Sequence, residues 1–139
     1  MVSLSTSEPA SESRPIHKQL QVVIVDDDPS VLGTITRFVK ALGHEAISFD
    51  NFEQARVFIG SNNPDAFVVD IRLGTYNGLQ LVHLARQLNA HARVVAVSGF
   101  EDLVLREEAA RAGAHFLIKP FTVSDLEHAL TSLAGPTPV

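Results

Sequence analysis

Cysteine is absent from the 139 residues, which excludes a disulfide framework, a thiolate zinc centre and a cysteine nucleophile together. Basic residues are scarce: 11 Lys and Arg stand against 16 Asp and Glu, for a formal net charge of −5. No basic stripe is therefore available for a nucleic-acid surface. No apolar run approaches the length of about 20 residues that crosses a bilayer, and the N-terminus lacks the apolar stretch of a secretory signal. A cytoplasmic protein is expected. What is present is ordinary for a globular domain, with 45% hydrophobic and 19% charged residues in a chain of single-domain length.

Residues 1–18 are rich in Ser, Glu and Pro without apolar periodicity. They read as a flexible tail, because too little apolar surface offsets the entropy of ordering them. Residues 134–139, with Gly135-Pro136-Thr137-Pro138, read as a second tail. The ordered domain is expected over residues 19–133. Within it, Val22-Val23-Ile24-Val25, Phe67-Val68-Val69, Val94-Val95-Ala96-Val97 and Phe116-Leu117-Ile118 are apolar without alternation, the pattern of strands covered on both faces of a parallel sheet. Glu45-Ala46-Ile47-Ser48-Phe49 is more mixed and suits a sheet edge.

The intervening segments have helical spacing. Val31, Ile35, Phe38, Val39 and Leu42 form one stripe, stopped by Gly43. Phe52, Ala55 and Ile59 form a second behind Asn51. Leu81, Leu84, Ala85 and Leu88 form a third, and Leu126, Ala129, Leu130 and Leu133 the last, behind Thr122 and Asp125. Glu101 to Ala112 is helical with the weakest stripe. Five strands alternating with five helices predict a doubly wound α/β domain with a parallel sheet. Its site is then expected where the strands end.

The chemistry-bearing residues fall at those ends: Asp26-Asp27-Asp28 after the first strand, Asp70 after the third, Ser98 after the fourth and Lys119 after the fifth. Asp28 before Pro29 has the form of a helix cap. Asp26 and Asp27 have no such excuse, and with Asp70 they repel one another unless protonated or bound to a hard cation, magnesium being the usual one beside phosphate. Asp70 alone fits a loop cap, a metal ligand or a nucleophile, since carboxylates form aspartyl-phosphate intermediates. Lys119 offsets the acidic charge and suits a phosphoryl oxygen. Ser98 by itself is an ordinary turn residue. The six histidines build no metal motif and are expected to be surface or half-buried.

Val25-Asp26-Asp27-Asp28-Pro29, Val69-Asp70-Ile71-Arg72-Leu73 with Gly78 eight residues after the aspartate, Val97-Ser98-Gly99 and Phe116-Leu117-Ile118-Lys119-Pro120-Phe121 together resemble the signature set of the response-regulator receiver domain, over about residues 19–133. The resemblance implies a flavodoxin-like fold with strand order 2-1-3-4-5. It implies Asp70 as phosphoacceptor and Mg2+ held by Asp27 and Asp70, by Asp26 through water, and by the backbone carbonyl of Arg72. Lys119 would pair with the phosphoryl group, Ser98 would move to bond it, and Phe116 would be the switch aromatic. The protein would catalyse its own Mg2+-dependent phosphorylation and dephosphorylation and turn over no separate substrate. Its partners would be a sensor histidine kinase or histidine phosphotransfer protein and an unnamed downstream protein, with a phosphorylation-dependent homodimer as one output and no nucleic acid or membrane. Gly74 departs from the proline common in the family. Arg72 and Phe100 flank the expected site, where they would slow the access of water.

Two rivals share parts of the pattern. Asp26-x-Asp28 after the first strand resembles the nucleophile motif of haloacid-dehalogenase-like phosphatases, but no acidic pair follows Lys119 and Asp70 is left without a role. A flavodoxin-type flavin carrier shares the topology, but three aspartates would repel the flavin phosphate.

Overall fold

The computed structural model describes residues 18–73 and 76–132. The expected tails (apart from Lys18), Leu133 and Gly74 lie outside that range. Five parallel strands form one sheet: β1 Gln21–Val25, β2 Glu45–Phe49, β3 Ala66–Asp70, β4 Arg93–Ser98 and β5 Ala114–Ile118, in the spatial order 2-1-3-4-5. Between them run α1 Pro29–Ala41, α2 Phe52–Ser61, α3 Leu79–Leu88 and α4 Leu103–Arg111, and α5 Val123–Thr131 follows β5. Among the described residues no helix is long and apolar enough to cross a membrane.

The unbroken apolar runs are explained by two cores, one on each face of the sheet. Val23 and Val25, Phe67 and Val69, and Val94 and Ala96 pack with α2, α3 and α4, while the alternate residues Val22 and Ile24, Ala66 and Val68, and Val95 and Val97 pack with α1 and α5. Each buried Val or Ile side chain contributes about 1.5–3 kcal/mol. β2 lies at the edge, as its mixed sequence requires. β5 is the other edge, and here the sequence reading is corrected in degree: Phe116, Leu117 and Ile118 are only half-buried, because β4 flanks them on one side and no strand on the other. His44 also differs from expectation. It is buried, its backbone N–H donates to Val39 O, and its Nδ1 accepts from Leu20 N–H at 3.0 Å.

Helix starts are set locally. Asp28 accepts from Ser30 N–H at 2.9 Å, with Pro29 opening α1. Asn51 caps α2 through Gln54 N–H, and Thr122 and Asp125 form a reciprocal capping box at α5. Asp102 caps α4, which therefore begins at Leu103 and buries only Ala109 completely. Arg86 on α3 closes the opposite end of the sheet by donating to the carbonyls of Ala90, Ala92, Ala112 and Gly113.

Candidate functional site

The chain runs from β1 outward to β2 and then back across β1 to β3. That reversal opens a crevice beyond the C-terminal ends of β1 and β3, where doubly wound sheets bind ligands. Asp26 and Asp27 leave β1 there, and Asp70 is the last residue of β3. Register completes the rim, because Asp70 pairs with Val97, the residue before Ser98, and Ser98 pairs with Ile118, the residue before Lys119. Lys119 N–H also donates to Ser98 O at 2.8 Å. Residues up to 93 positions apart are thus fixed by backbone pairing at one edge.

Asp26 is buried. Its Oδ1 accepts from Asp28 N–H at 2.9 Å and its Oδ2 from Lys119 Nζ at 3.0 Å. Asp70, 6% exposed, accepts from Arg72 N–H at 3.2 Å, and its Oδ2 lies 3.6 Å from Lys119 Nζ. Asp27 is exposed, yet one carboxylate oxygen from each of Asp26, Asp27 and Asp70 lies within 4.8 Å of the others.

These surroundings perturb the titrating groups. Burial, followed by the charge of Asp26, pushes the Asp70 carboxyl up to about 6. Lys119 and the Arg72 N–H oppose the rise, and Asp27 adds to it. Burial alone would lower the Lys119 ammonium, but its hydrogen bond to Asp26 and the charges of Asp70 and Asp26 hold it above its ordinary value.

Around the carboxylates, Ser98 is fully buried and its Oγ accepts from Phe100 N–H at 3.1 Å. The Arg72 guanidinium stacks 4.9 Å from the Phe100 ring centroid, so the two flanking residues singled out in the sequence touch. Phe116 is half-buried on the α4 side, with the Arg106 guanidinium 5.4 Å above its ring and Glu101 Oε2 2.6 Å from Arg106 Nη1.

The donor set is carboxylate oxygen without imidazole or thiolate, and one carboxyl has its charge disfavoured. That chemistry fits a hard divalent cation. The arrangement offers two almost buried carboxylates and one exposed one, a lysine and a hydroxyl.

The sequence pattern of the response regulator receiver domain matches residues 22–131. The chain belongs to this family. The receiver domain is 30% identical over 108 residues to the C4-dicarboxylate transport transcriptional regulatory protein DctD of Pseudomonas aeruginosa, covering 77% of the chain and 23% of that protein. It is 26% identical over 118 residues to the photosynthetic apparatus regulatory protein RegA of Rhodobacter capsulatus, covering 84% of the chain and 64% of that protein. The receiver domain thus spans less than two thirds of these relatives. Among solved structures, a response regulator protein from Burkholderia pseudomallei with a phosphorylated aspartic acid, calcium ion and citrate superposes with a TM-score of 0.74 at 26% identity, covering 81% of the chain and 66% of that one. A response regulator receiver domain from Methylobacillus flagellatus superposes at 0.71 with 28% identity, covering 84% and 99%.

Asp26, Asp27, Asp70 and Lys119 of the receiver domain, separated in the sequence, are brought together by the fold, with Ser98 and Phe116 on the neighbouring strands. The phosphatase alternative with Asp26 as nucleophile finds no support, since the family match is to receivers and both Asp26 oxygens are engaged by Lys119 and Asp28 N–H. Sequence reasoning missed the Glu101–Arg106–Phe116 contact. Arg106 sits ten residues before Phe116 on the helix with the weakest stripe, and nothing in the spacing signals that its side chain crosses to β5.

Proposed function

We propose that this receiver domain, over residues 19–133, is a phosphorylation-driven signalling switch of the cytoplasm that accepts a phosphoryl group on Asp70 from the phosphohistidine of a sensor kinase or phosphotransfer protein. The observation that carries the reading is the Asp70 carboxyl itself, almost buried at a strand end, 3.6 Å from Lys119 Nζ and grouped with Asp26 and Asp27. With its pKa at about 6, the carboxylate form still predominates near neutral pH and is the nucleophile. An Asp70 oxygen attacks phosphorus in line as the P–N bond breaks. The electron pair of that bond stays on the donor's ring nitrogen, and because the other ring nitrogen carries a proton the group leaves as neutral imidazole. Hydrolysis reverses the state, with water attacking phosphorus to release inorganic phosphate and restore the carboxylate.

Phosphoryl transfer depends on positioning and on positive charge around the equatorial oxygens. Lys119 supplies one such charge and Ser98 a hydroxyl donor. Mg2+ would be held by the oxygen donors of Asp27 and Asp70, by Asp26 through water and by the Arg72 carbonyl. When bound, it supplies further positive charge beside the phosphoryl oxygens. Drawing Ser98 toward the phosphoryl group would pull on Phe100 N–H and open space that Phe116 fills, which alters the surface of α4, β5 and α5. The output is then a binding event with a downstream protein or a second copy.

Incubation with Mg2+ and acetyl phosphate followed by intact mass tests this reading. One added phosphoryl group is expected, absent in Asp70→Ala and strongly reduced in Asp27→Ala. Lys119→Ala is expected to bind Mg2+ yet fail to switch. Modification persisting in Asp70→Ala would refute the assignment.

A further inference from the structure

Gly78 opens α3 with φ −60° and ψ −18°, a helical backbone conformation open to every L residue. Its identity is therefore not required by backbone freedom. Gly78 is the N-cap of α3, and its carbonyl accepts from Leu81 N–H at 2.9 Å and Val82 N–H at 3.2 Å, but any residue has that carbonyl, and the side-chain bond of the first turn is made by Asn77, whose Oδ1 accepts from Leu79 N–H at 2.9 Å. What glycine provides is closeness. A Cβ at this position would lie 2.1 Å from Asp70 O, 2.9 Å from the Asp70 carbonyl carbon and 3.0 Å from Ile71 Cα.

All three neighbours are backbone, so no side chain can swing aside. The residue is also tied to the next peptide along, since Gly78 N–H donates to Ile71 O. Gly60, by contrast, has nothing within 4 Å of an added Cβ. The backbone that Gly78 touches is the backbone that aims the Asp70 carboxyl. On its far side Ile71 N–H donates to Val97 O at 2.9 Å, and just beyond it Arg72 N–H donates to Asp70 Oδ1.

We propose that Gly78 is a positioning residue for phosphoryl acceptance: its bare Cα is the surface against which the Asp70–Ile71 peptide rests, and that support sets the direction of the Asp70 carboxyl and of the Arg72 backbone. The inference rests on Asp70 being the acceptor. A side chain at 78 forces the peptide to tilt or α3 to retreat. A displacement of about 1 Å at a reacting group costs on the order of a hundredfold in rate.

The test compares Gly78→Ala with Gly60→Ala and with Val39→Ala, a core truncation on the α1 face, in the full chain. Acceptance of phosphoryl from acetyl phosphate with Mg2+ is followed by intact mass, and thermal melting is recorded for each. Gly78→Ala is expected to accept the group about tenfold to a hundredfold more slowly. Gly60→Ala should match the wild type, and Val39→Ala should melt lower yet keep the wild-type rate below its melting range. A second readout needs neither metal nor donor: amide exchange at Ile71 in the metal-free protein is expected to accelerate in Gly78→Ala and not in the two controls.

Should Gly78→Ala fail to fold, the pair Asn77→Gly/Gly78→Ala enters the comparison against Asn77→Gly alone, which carries the loss of the Asn77 bond to Leu79 N–H, and the same slowing relative to that single variant is expected. A folded Gly78 variant with wild-type acceptance and wild-type Ile71 exchange would overturn the proposal, as would slowing in Val39→Ala equal to that in Gly78→Ala. If the wild type is never modified at Asp70, the acceptor reading falls, while the Ile71 exchange still decides whether Gly78 supports the peptide.

Discussion

At the scale of single residues, Asp70 and Lys119 show how one environment treats two charges differently. Folding moves the Asp70 carboxyl from 3.8 to about 6. Keeping it ionised therefore costs stability at every pH above the folded value, the cost fades as pH falls toward the unfolded value, and it is gone below that. Asp70→Asn removes it. In the presence of a chelator this variant is expected to gain on the order of 1–2 kcal/mol near neutral pH, after allowance for solvent screening, and nothing below about pH 3.5. Denaturant melts at the two pH values check this, and an equal gain at both would contradict a buried charge as the source. Lys119 runs the other way. Its pKa is raised, so its contribution is intact through neutral pH and lost only as pH rises through the folded value. The Arg72–Phe100 stack lies beside the same carboxyl. Breaking it with Arg72→Ala or Phe100→Ala is expected to shorten the half-life of the phosphorylated form about twofold to fivefold, the equivalent of one surface cation–π contact. An unchanged half-life in both variants would remove the stack from the mechanism.

Among the elements, α1 and α4 differ most. The three consecutive aspartates at the head of α1 divide their labour: Asp26 and Asp27 join the acidic group while Asp28 caps the helix. Asp28→Ala is expected to cost about 1 kcal/mol of stability and leave Mg2+ affinity unchanged, whereas Asp27→Ala should weaken Mg2+ with little effect on the melt. Calorimetric titration and thermal melts separate the two. Equal loss of Mg2+ binding in both would mean that the triplet acts as one unit. α5 is held by its capping box, and the bonds from Thr122 lower the Asp125 pKa, so that cap is present above the ordinary carboxylate range and is lost as pH falls through the depressed value. α4 has neither a broad apolar face nor deep burial. Phe100, Leu103 and Val104 at and just before its N-terminal end are exposed, while its C-terminal end is tied down through the Arg86 bonds to Ala112 and Gly113.

The whole molecule joins two packed cores to one reactive edge. α1 anchors through buried Ile35 and Val39, whereas α4 contributes Ala109 alone among fully buried residues, and segments with few buried contacts open most readily. Adding Mg2+ and acetyl phosphate is therefore expected to change amide exchange in residues 103–118 and leave residues 29–41 unaltered. A change confined to α1 would contradict the coupling of Ser98, Phe100 and Phe116. Much of this was written in the sequence. Unbroken apolar strands announce a sheet covered on both faces, Asp28-Pro29 and Thr122-x-x-Asp125 announce helix starts, and the polar residues stand where the strands stop, because those signals are local and periodic. Other features are contacts between parts of the chain with no shared period: the crossing of Arg106 to Phe116, the burial of His44 under Leu20, and the approach of Gly78 to the Asp70 peptide. Sequence alone settled which residue types reach the rim of the sheet. Only the packing of β1 between β2 and β3 decided that Lys119 meets Asp26 at 3.0 Å, because that distance is set by strand register and close approach, and neither leaves a repeating mark along the chain.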